Sequence, residues 1–282
     1  NIRIQKTTNS GNYWYELIDN SDTSRFSFNN LFLRNDKQIC LSGTYYYNGA
    51  SVATSYDGGK SWAFAIITNS GRATGSYYTD NINGWIVTEY GSVFKTSNYG
   101  VFWDKVLSDD NNNNTGYFSI FFLNKNLGWI GGNNGILLYT IDGGHDWYVY
   151  EFDRSIKIND IFYSDSSNGW LATNKGIYYT SDGGQNWTQQ VIQSEDLNIK
   201  KFCFIDNKNA WAIGDTFILH TYRGGKEPVN INPKILYNGD LNICYGDSLL
   251  LTASPQVNDY SYKWSTGETS KSIYAKKSGK YI

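Results

Sequence analysis

The sequence predicts an all-β fold, a β-propeller of four-stranded blades followed by a small β-sandwich. Three observations predict the propeller: a turn motif that recurs along most of the chain, a strand marked by Gly-Trp in three of the repeats, and a regular period. Successive motif copies end 48, 41, 44, 40 and 41 residues apart (62−14, 103−62, 147−103, 187−147 and 228−187), the period of propeller blades. An aromatic content of 17% with 28 glycines suits short strands joined by many turns.

The turn motif reads Ser/Thr-x-Asp-x-Gly-x-x-Trp. Full copies span 55–62, 140–147 and 180–187, copies with Asn for Asp span 7–14 and 96–103, and a copy at 221–228 lacks both acid and Trp. Hydroxyl and carboxylate can hydrogen-bond the backbone of a tight turn, glycine supplies positive φ, and Trp packs between sheets. We therefore expect a structural role, not a catalytic one, for the motif residues. They are Asn9, Trp14, Asp57, Gly59, Trp62, Asn98, Gly100, Trp103, Asp142, Gly144, Trp147, Asp182, Gly184 and Trp187.

The chain begins with two predicted strands, 2–8 and 13–18, which form the outer half of a blade. Five complete units follow between about residues 24 and 230, each a meander of four short strands. Their second strands carry Gly84-Trp85, Gly128-Trp129, Gly169-Trp170 and Ala210-Trp211, with Ile39-Cys40 as the divergent case. Radial repetition predicts six blades, if the half-unit is completed by upstream strands or a non-standard closure. Seven blades are the alternative, if the chain has been cut.

The pattern changes near residue 230. Short alternating strands at 243–253, 260–267, 272–274 and 279–282 follow, with Cys244 in an early strand and Trp264 in the next. This arrangement favours an immunoglobulin-like sandwich. We therefore expect a propeller over 1–229 and an Ig-like domain over 230–282, incomplete at its C-terminus because the chain stops in mid-strand.

Composition excludes several classes of function. A net charge of −2 without a basic block argues against a nucleic-acid partner. No apolar run reaches the roughly 18 residues of a membrane helix, so we expect no membrane span. With two His, a His-based metal site or triad is improbable, and we expect no cofactor and no metal. The run Asp109–Asn114 has the oxygens for calcium, but a polar loop is the favoured interpretation.

The three cysteines have no zinc spacing and cannot all pair within the chain. Cys40 and Cys203 lie in apolar strand-like runs, so we expect buried free thiols. The chain begins at Asn1 and contains no Met. We expect a processed or truncated form whose signal peptide has been removed.

The turn motif with its Gly-Trp strand resembles the Asp-box (BNR) repeat superfamily, and within it the photosystem II assembly-factor-like propellers, over residues 1–228. That superfamily includes sialidases, xyloglucan-cleaving enzymes, receptors and assembly factors, so fold alone does not fix function. The stretches 244–248, 264–269 and 278–281 look like Ig-like domains of secreted Bacteroidota proteins, which often precede a type IX sorting domain. This second resemblance implies a secreted or outer-cell-surface protein, with secretion-machinery components among its candidate partners.

Two functional classes stay open. A sialidase is disfavoured, because Arg25, Arg72 and Arg154 precede innermost strands at differing offsets and no Arg-Ile-Pro occurs. A glycoside hydrolase needs two facing carboxylates. The turns between second and third strands offer only Glu89 and Asp215, three blades apart, as that pair. A secreted glycan-active enzyme using them is the alternative hypothesis.

The favoured hypothesis is a non-catalytic propeller that binds a protein or glycan at the cell surface. Loops between second and third strands share one end of the propeller with the loops between blades. Exposed tyrosines there add contact area at low entropy cost and stack on sugars. The candidate ligand-binding residues are Tyr46, Tyr47, Arg72, Glu89, Asn134, Arg154, Lys175 and Asp215.

Overall fold

The structure, a computed structural model, describes residues 3–19, 25–46, 49–108, 115–190, 197–206, 208–221, 234–238, 248–254 and 263–277. The chain divides into two compact units, Asn1–Lys226 and Glu227–Ile282. Within the described residues all regular structure of any length is β-strand.

The first unit is a β-propeller, which confirms the predicted fold class. Blades 1 to 4 are antiparallel four-stranded meanders in chain order. Blade 1 is β3 (Phe26–Leu33), β4 (Ile39–Tyr45), β5 (Gly49–Ser55) and β6 (Ala63–Thr68), and blade 2 is β7 (Ala73–Tyr78), β8 (Gly84–Thr88), β9 (Ser92–Thr96) and β10 (Asp104–Ser108). Blade 3 is β11 (Tyr117–Phe122), β12 (Gly128–Gly132), β13 (Ile136–Thr140) and β14 (Tyr148–Glu151), and blade 4 is β15 (Ile158–Tyr163), β16 (Gly169–Thr173), β17 (Gly176–Thr180) and β18 (Thr188–Gln189). Blade 5 has three described strands, β19 (Ile199–Phe204), β20 (Ala210–Gly214) and β21 (Ile218–Thr221).

A half-blade precedes blade 1. It consists of β1 (Arg3–Lys6) paired with β2 (Tyr15–Asp19). The ammonium of Lys6 donates to the carbonyl of Gly58 in the turn of the next blade at 3.4 Å, and Lys95 of β9 makes the matching bond to Gly143 at 3.3 Å. Because β9 is a third strand, β1 and β2 are the third and fourth strands of their blade.

The Gly-Trp pairs hold neighbouring blades together. Each Trp ring lies against the last aromatic residue of the first strand of the following blade. The ring centroids are 5.2 Å apart for Trp85–Phe122, 3.6 Å for Trp129–Tyr163 and 4.9 Å for Trp170–Phe204. The three Trp side chains are 1–5% exposed. Such pairs add about 0.5–1.5 kcal/mol beyond the area they bury.

Glycine precedes each of these tryptophans for a steric reason. Gly169 pairs with Tyr163 across the sheet, and a Cβ at Gly169 would lie 2.5 Å from Cε1 of the Tyr163 ring. Gly84 and Gly128 face first-strand rings at 2.5 and 2.4 Å in the same way. The glycine therefore makes room for an aromatic ring of its own blade, and the tryptophan packs on an aromatic ring of the following blade.

The recurring turns lie at the end of the propeller where third strands lead into fourth strands, which we name the Asp-box end. In each turn the Ser/Thr hydroxyl accepts the backbone N–H of the glycine four residues later. These distances are 2.9 Å (Thr7–Gly11), 2.8 Å (Ser55–Gly59), 2.9 Å (Thr96–Gly100), 2.8 Å (Thr140–Gly144) and 2.9 Å (Thr180–Gly184). Oδ1 of the Asp or Asn accepts the N–H four residues on. These distances are 2.9 Å (Asn9), 3.0 Å (Asp57), 3.0 Å (Asn98), 3.1 Å (Asp142) and 2.9 Å (Asp182).

The two described cysteines differ in environment. Cys40 is fully buried, and burial raises the pKa of its thiol to about 12. Cys203 is a free, exposed cysteine, so the expectation that it would be buried was wrong. It pairs with Trp211 on a side of blade 5 that stays open in the described structure, whereas the equivalent residues of blades 2 to 4 pack on a following blade. Cys244 lies outside the described residues.

The second unit has one described sheet. Its antiparallel strands are β22 (Lys234–Tyr237), β23 (Leu249–Ser254) and β24 (Ser272–Ala275). Trp264 is 4% exposed and packs against this sheet, and its indole N–H donates to the carbonyl of Ser270 at 2.8 Å. Residues 263–267 form a turn, so the strand expected at 260–267 is wrong for its described part. The Ig-like assignment of this unit stays a prediction.

Candidate functional site

The end of the propeller opposite the Asp-box turns, which we name the loop end, carries the turns between second and third strands and the loops between blades. Meander geometry brings two positions of each blade together there. One is the entry residue, immediately before the first strand, and the other is the turn residue, immediately after the second strand. The pairs are Arg25 and Tyr46, Arg72 and Glu89, Gly116 and Asn133, Lys157 and Asn174, and Asn198 and Asp215.

A backbone hydrogen bond joins these positions. In blades 1 to 4 the turn residue N–H donates to the entry residue carbonyl, at 2.8, 3.1, 3.0 and 3.1 Å in chain order. In blades 2 to 5 the two positions are 17 residues apart (89−72, 133−116, 174−157 and 215−198). The backbone thus fixes the loop end, and the side chains at both positions vary from blade to blade.

Glu89, one of the two acids proposed for an enzyme, occupies a turn position. Its Oε1 accepts the backbone N–H of Arg72 at 3.0 Å, and its Oε2 lies 2.9 Å from the Nε of Arg72. Asn174 holds the same place in blade 4, where its Oδ1 accepts the N–H of Lys157 at 2.7 Å. A neutral amide therefore does the same backbone-capping work as the carboxylate.

Asp215, the second proposed acid, occupies the turn position of blade 5. Its Oδ1 lies 3.3 Å from the ammonium of Lys200, and its Oδ2 accepts from the side-chain amide of Asn198 at 3.2 Å. The side chain is 63% exposed. Each proposed acid is thus bound to a cation of its own blade.

Lys157 is the entry residue of blade 4. Its ammonium lies 3.8 Å from the centroid of the Phe118 ring, within cation–π range. The pKa of Lys157 is lowered, first by burial and then by the positive charges of Lys200 and Arg72. Cations from blades 2, 4 and 5 therefore interact at the loop end, and we name Arg72, Lys157 and Lys200 the cationic cluster.

Charge pairing is uneven within the cationic cluster. Arg72 and Lys200 each have a carboxylate partner. No carboxylate among the described residues lies within 4.0 Å of the Lys157 ammonium. The cluster is consequently more attractive to an anion at Lys157 than at its other two members.

Sequence reasoning missed Phe118, Lys157 and Lys200. Every first strand shifts register at one place against its neighbour, and Phe118 and Lys200 are the residues skipped by the pairing in blades 3 and 5. Such bulges re-aim side chains, and nothing in the local residues signals them. A usable signal for Lys157 was the constant spacing of 17 residues between the turn residue and the entry residue of a blade. Counting 17 residues back from Asn174 leads to Lys157.

The other candidate residues are spread over several blades. Tyr46 is 51% exposed, its φ is +51°, and the guanidinium of Arg25 lies 5.3 Å from its ring centroid. Asn134, at φ +55°, and Lys175 are exposed in the turns of blades 3 and 4, and Arg154 is exposed in the loop between those blades. Tyr47 lies outside the described residues.

Across the described ranges, no group of three or more His, Cys, Asp or Glu side chains is placed to hold a metal ion. The run 109–114 lies outside them. The described chain contains no helix with the length and apolar character to span a membrane.

Comparison with known proteins identifies the repeats. The family model described as photosynthesis system II assembly factor YCF48 matches residues 73–156 and 149–240. No curated protein matches the sequence.

Solved structures share the fold at low sequence identity. A GH74 enzyme of Niastella koreensis aligns with a TM-score of 0.64 and 15% identity over 76% of this chain and 40% of its own. YCF48 from Cyanidioschyzon merolae aligns with a TM-score of 0.61 and 14% identity over 80% of this chain and 78% of its own. A GH74 xyloglucanase from Xanthomonas campestris aligns with a TM-score of 0.55 and 12% identity over 68% of this chain and 36% of its own. The chain thus spans well under half of either GH74 enzyme, and these likenesses show the fold alone.

Proposed function

The chain belongs to the photosynthesis system II assembly factor YCF48 family, and from that premise we propose that it is a non-catalytic β-propeller that binds a protein partner through its loop end. The observation that carries the proposal is the cationic cluster. Lys157 lies half-buried on an aromatic ring, the positive charges of Lys200 and Arg72 lower its pKa, and no carboxylate of the described chain lies within ion-pair distance of it.

The chemistry of the cluster favours a carboxylate-bearing peptide segment as the ligand. A partly desolvated ammonium gains more from a charge-assisted hydrogen bond than a fully solvated one does. The Lys157 ammonium lies 3.8 Å from the centroid of the Phe118 ring, and the residue is only partly buried. Tyr46, exposed at the turn of blade 1, offers contact area at the same end.

The glycan-active enzyme is the second candidate, and a glycan is the alternative ligand. The GH74 structures share the fold, but fold likeness does not transfer an active site. Both proposed acids are engaged within their own blades, and the position of Glu89 is filled by an amide in blade 4. These contacts support a structural role for Glu89 and Asp215 over a catalytic one.

Binding to an acidic peptide tests the proposal. The probe is a labelled octapeptide with four glutamates and a free C-terminal carboxylate, and its twin has four glutamines and an amidated end. We expect Lys157→Gln to weaken binding of the acidic probe about tenfold, which corresponds to ~1.4 kcal/mol. Lys60→Gln, the same change on an exposed lysine of the 55–62 turn at the Asp-box end, is the matched control and leaves affinity unchanged.

Two results would contradict the proposal. One is equal binding of the acidic and amidated peptides, and the other is equal weakening by both lysine variants. A glycan panel, run on the wild type and on the Glu89→Gln/Asp215→Asn double variant, separates the second candidate. Turnover by the wild type that the double variant lacks would identify an enzyme.

We further propose that the protein is secreted or lies on the outer cell surface as a type IX secretion substrate, with secretion-machinery components among its partners. The support is the resemblance of 244–248, 264–269 and 278–281 to Ig-like domains of secreted Bacteroidota proteins. Expression from its own gene in a Bacteroidota host, with and without a working type IX apparatus, tests it. We expect the protein in the medium or on the surface only when the apparatus works, and retention in both strains would refute the proposal.

A further inference from the structure

The seventh residue of the turn motif divides the five turns of the Asp-box end into two groups. It is polar in the three turns that carry Asp, where it is Ser61, Asp146 or Asn186. It is aromatic in the two turns that carry Asn, where it is Tyr13 or Phe102. Tyr13 is 67% exposed and Phe102 is 71% exposed. Both turns with Asn therefore present an aromatic ring at a position where the turns with Asp present a polar group.

In two of the turns with Asp, the seventh side chain is held within its own turn. The hydroxyl of Ser61 donates to Oδ2 of Asp57 at 2.6 Å, and the side-chain amide of Asn186 donates to Oδ2 of Asp182 at 2.7 Å. The ring of Phe102 has no group that donates such a bond. Turn formation therefore does not explain why an exposed aromatic residue stands here.

The backbone of the seventh residue is fixed in the same way in all five turns. Its N–H donates to Oδ1 of the Asp or Asn over 2.9–3.1 Å. Turns that repeat around one axis lie at one level along that axis, so Tyr13 and Phe102 project from equivalent points. The half-blade contacts blade 1 and blade 1 contacts blade 2, so the turn of blade 1 lies between the two rings. A flat surface can therefore touch both rings at once.

The turn of blade 2 is apolar beyond its aromatic ring. Tyr99 is 50% exposed and Val101 is 55% exposed. The φ of Tyr99 is +66°, a conformation that disfavours L side chains and that glycine adopts at this position in the turns with Asp. The hydroxyl of Tyr56 in blade 1 donates to the Tyr99 carbonyl, and their ring centroids lie 5.5 Å apart. Blade 1 therefore holds a strained, apolar turn tip in place, and such strain is typical of functional sites.

Cations surround the turn of blade 1. The ammonium of Lys6 donates to the carbonyl of the first glycine of this turn, and the carbonyl of Lys37 accepts the N–H of that glycine at 2.9 Å. Lys37 and Lys60, which belongs to the turn itself, are exposed. The acids of these segments are Asp36 and Asp57, and the Asp57 carboxylate already accepts four hydrogen bonds within its own turn. This part of the Asp-box end therefore favours an anionic surface.

We propose that the Asp-box end rests on a bilayer that contains anionic lipid, with Tyr13 and Phe102 between the headgroups and the cations around the blade 1 turn on the lipid phosphates. Aromatic rings are favoured at the boundary between headgroups and acyl chains, and anionic lipid attracts lysines near its surface. A folded protein partner needs one continuous buried face, whereas two separate rings at one level fit a flat, soft layer.

The Asn residues of the aromatic turns support this assignment. Asn9 and Asn98 accept the N–H of the seventh residue at 2.9 and 3.0 Å, as Asp does in the other turns, but carry no negative charge. A carboxylate beside either ring would be repelled by anionic headgroups and would lose water on contact with the bilayer. Neutral residues thus stand in the two turns whose rings face lipid, and carboxylates stand in the other three.

Sedimentation of the whole chain with lipid vesicles tests the proposal. The vesicles contain phosphatidylcholine and phosphatidylglycerol in equal parts. Phe102→Ser and Tyr13→Ser give each aromatic turn the seventh residue of the blade 1 turn, so the backbone bonds remain. We expect each variant to weaken binding about fivefold. The matched control is Tyr90→Ser, which leaves affinity unchanged, because Tyr90 is 58% exposed in the turn between β8 and β9 at the loop end.

Asn98→Asp tests the role of charge without removing a ring. We expect this variant to bind the mixed vesicles more weakly than the wild type does, and to differ much less from the wild type on phosphatidylcholine alone. Absence of wild-type sedimentation with the mixed vesicles would overturn the proposal. Equal loss of binding in Phe102→Ser and Tyr90→Ser would do the same, and so would full binding of Asn98→Asp to the mixed vesicles.

The other occupants of this surface give distinct results. A dimer in light scattering that Phe102→Ser converts to a monomer would assign the rings to a second copy of the chain. Binding to a soluble glycan that Phe102→Ser abolishes, without binding to vesicles, would assign them to a sugar. Either result would overturn the bilayer contact. None of these outcomes depends on peptide binding at Lys157, so this inference and the proposed function fail separately.

Discussion

The two ends of the propeller are made by the same repeats and yet differ in what their side chains do. At the Asp-box end, five turns repeat the same two side-chain hydrogen bonds, at 2.8–2.9 Å and 2.9–3.1 Å. At the loop end, the shared bond is between backbone groups. The same side-chain bonds therefore recur at one end, whereas at the other end the backbone makes the shared bond and the side chains differ from blade to blade.

Among the substitutions that test this difference between the two ends, Gly144→Ala at the Asp-box end should cause the largest loss in the free energy of unfolding. A Cβ there would lie 2.3 Å from the Trp85 ring, and the φ of +77° disfavours any L side chain. Overpacking costs about 1–3 kcal/mol, and the left-handed conformation adds about 1–2 kcal/mol. Urea unfolding followed by Trp fluorescence measures the loss in the free energy of unfolding.

Lys175→Ala is the control for Gly144→Ala at the loop end. The side chain is exposed, so we expect its free energy of unfolding to stay within about 0.5 kcal/mol of the wild type. Similar losses in the two variants would show that the ends do not differ in the way described.

A smaller loss is expected from Thr180→Val. The buried hydroxyl of Thr180 accepts the N–H of Gly184 at 2.9 Å and donates to Oδ1 of Asp182 at 2.8 Å. Valine keeps the shape and leaves the N–H unpaired, which costs about 1–3 kcal/mol. Thr188→Val, the same change on exposed β18, should leave the urea midpoint nearly unchanged. A shift of the urea midpoint of equal size in both variants would show that the hydrogen bonds of the Thr180 hydroxyl do not account for the loss.

Turns with Asp should lose stability at acid pH, whereas turns with Asn should not. Bonds from the backbone N–H and then the side chain of Asn186 lower the pKa of Asp182 to about 2, below an unfolded value of about 3.9. A carboxyl with a depressed folded pKa contributes stability above the unfolded pKa, and this contribution is lost as pH falls through the folded pKa. Stability should therefore fall between about pH 4 and about pH 2.

Asp182→Asn removes one carboxylate that titrates in this acid pH range, and Asn98→Asp adds one. We expect the first variant to flatten the dependence of the urea midpoint on pH and the second to steepen it. Asn98 accepts the N–H of Phe102 at 3.0 Å, in the geometry that Asp182 uses with Asn186. Unchanged slopes in both variants would mean that the turn carboxylates do not set the acid limb.

The Asp-box end could be predicted from sequence and the site at the loop end could not, for a physical reason. A turn such as 180–187 is built by side chains at fixed spacing, so its residues repeat visibly. The contact between Lys157 and Phe118 joins neighbouring blades and depends on a bulge in β11. Neither leaves a local pattern. Cys203 was misjudged for a related reason, since its apolar strand predicts burial while exposure depends on the neighbouring blade.

The smallest effect is expected at Glu89, and it bears most directly on function. Glutamine keeps the oxygen that accepts the N–H of Arg72, as the amide of Asn174 does for Lys157, and loses only a partly exposed ion pair worth about 0.2–1 kcal/mol. Glu89→Ala also removes the acceptor, a hydrogen bond worth about 0.5–1.5 kcal/mol. We therefore expect the urea midpoint to be highest for the wild type, lower for Glu89→Gln and lowest for Glu89→Ala. The slope of the free energy of unfolding against urea concentration should be the same in all three. A glutamine variant as unstable as the alanine variant would show that the charge matters more than the cap, and would reopen Glu89 as a functional acid.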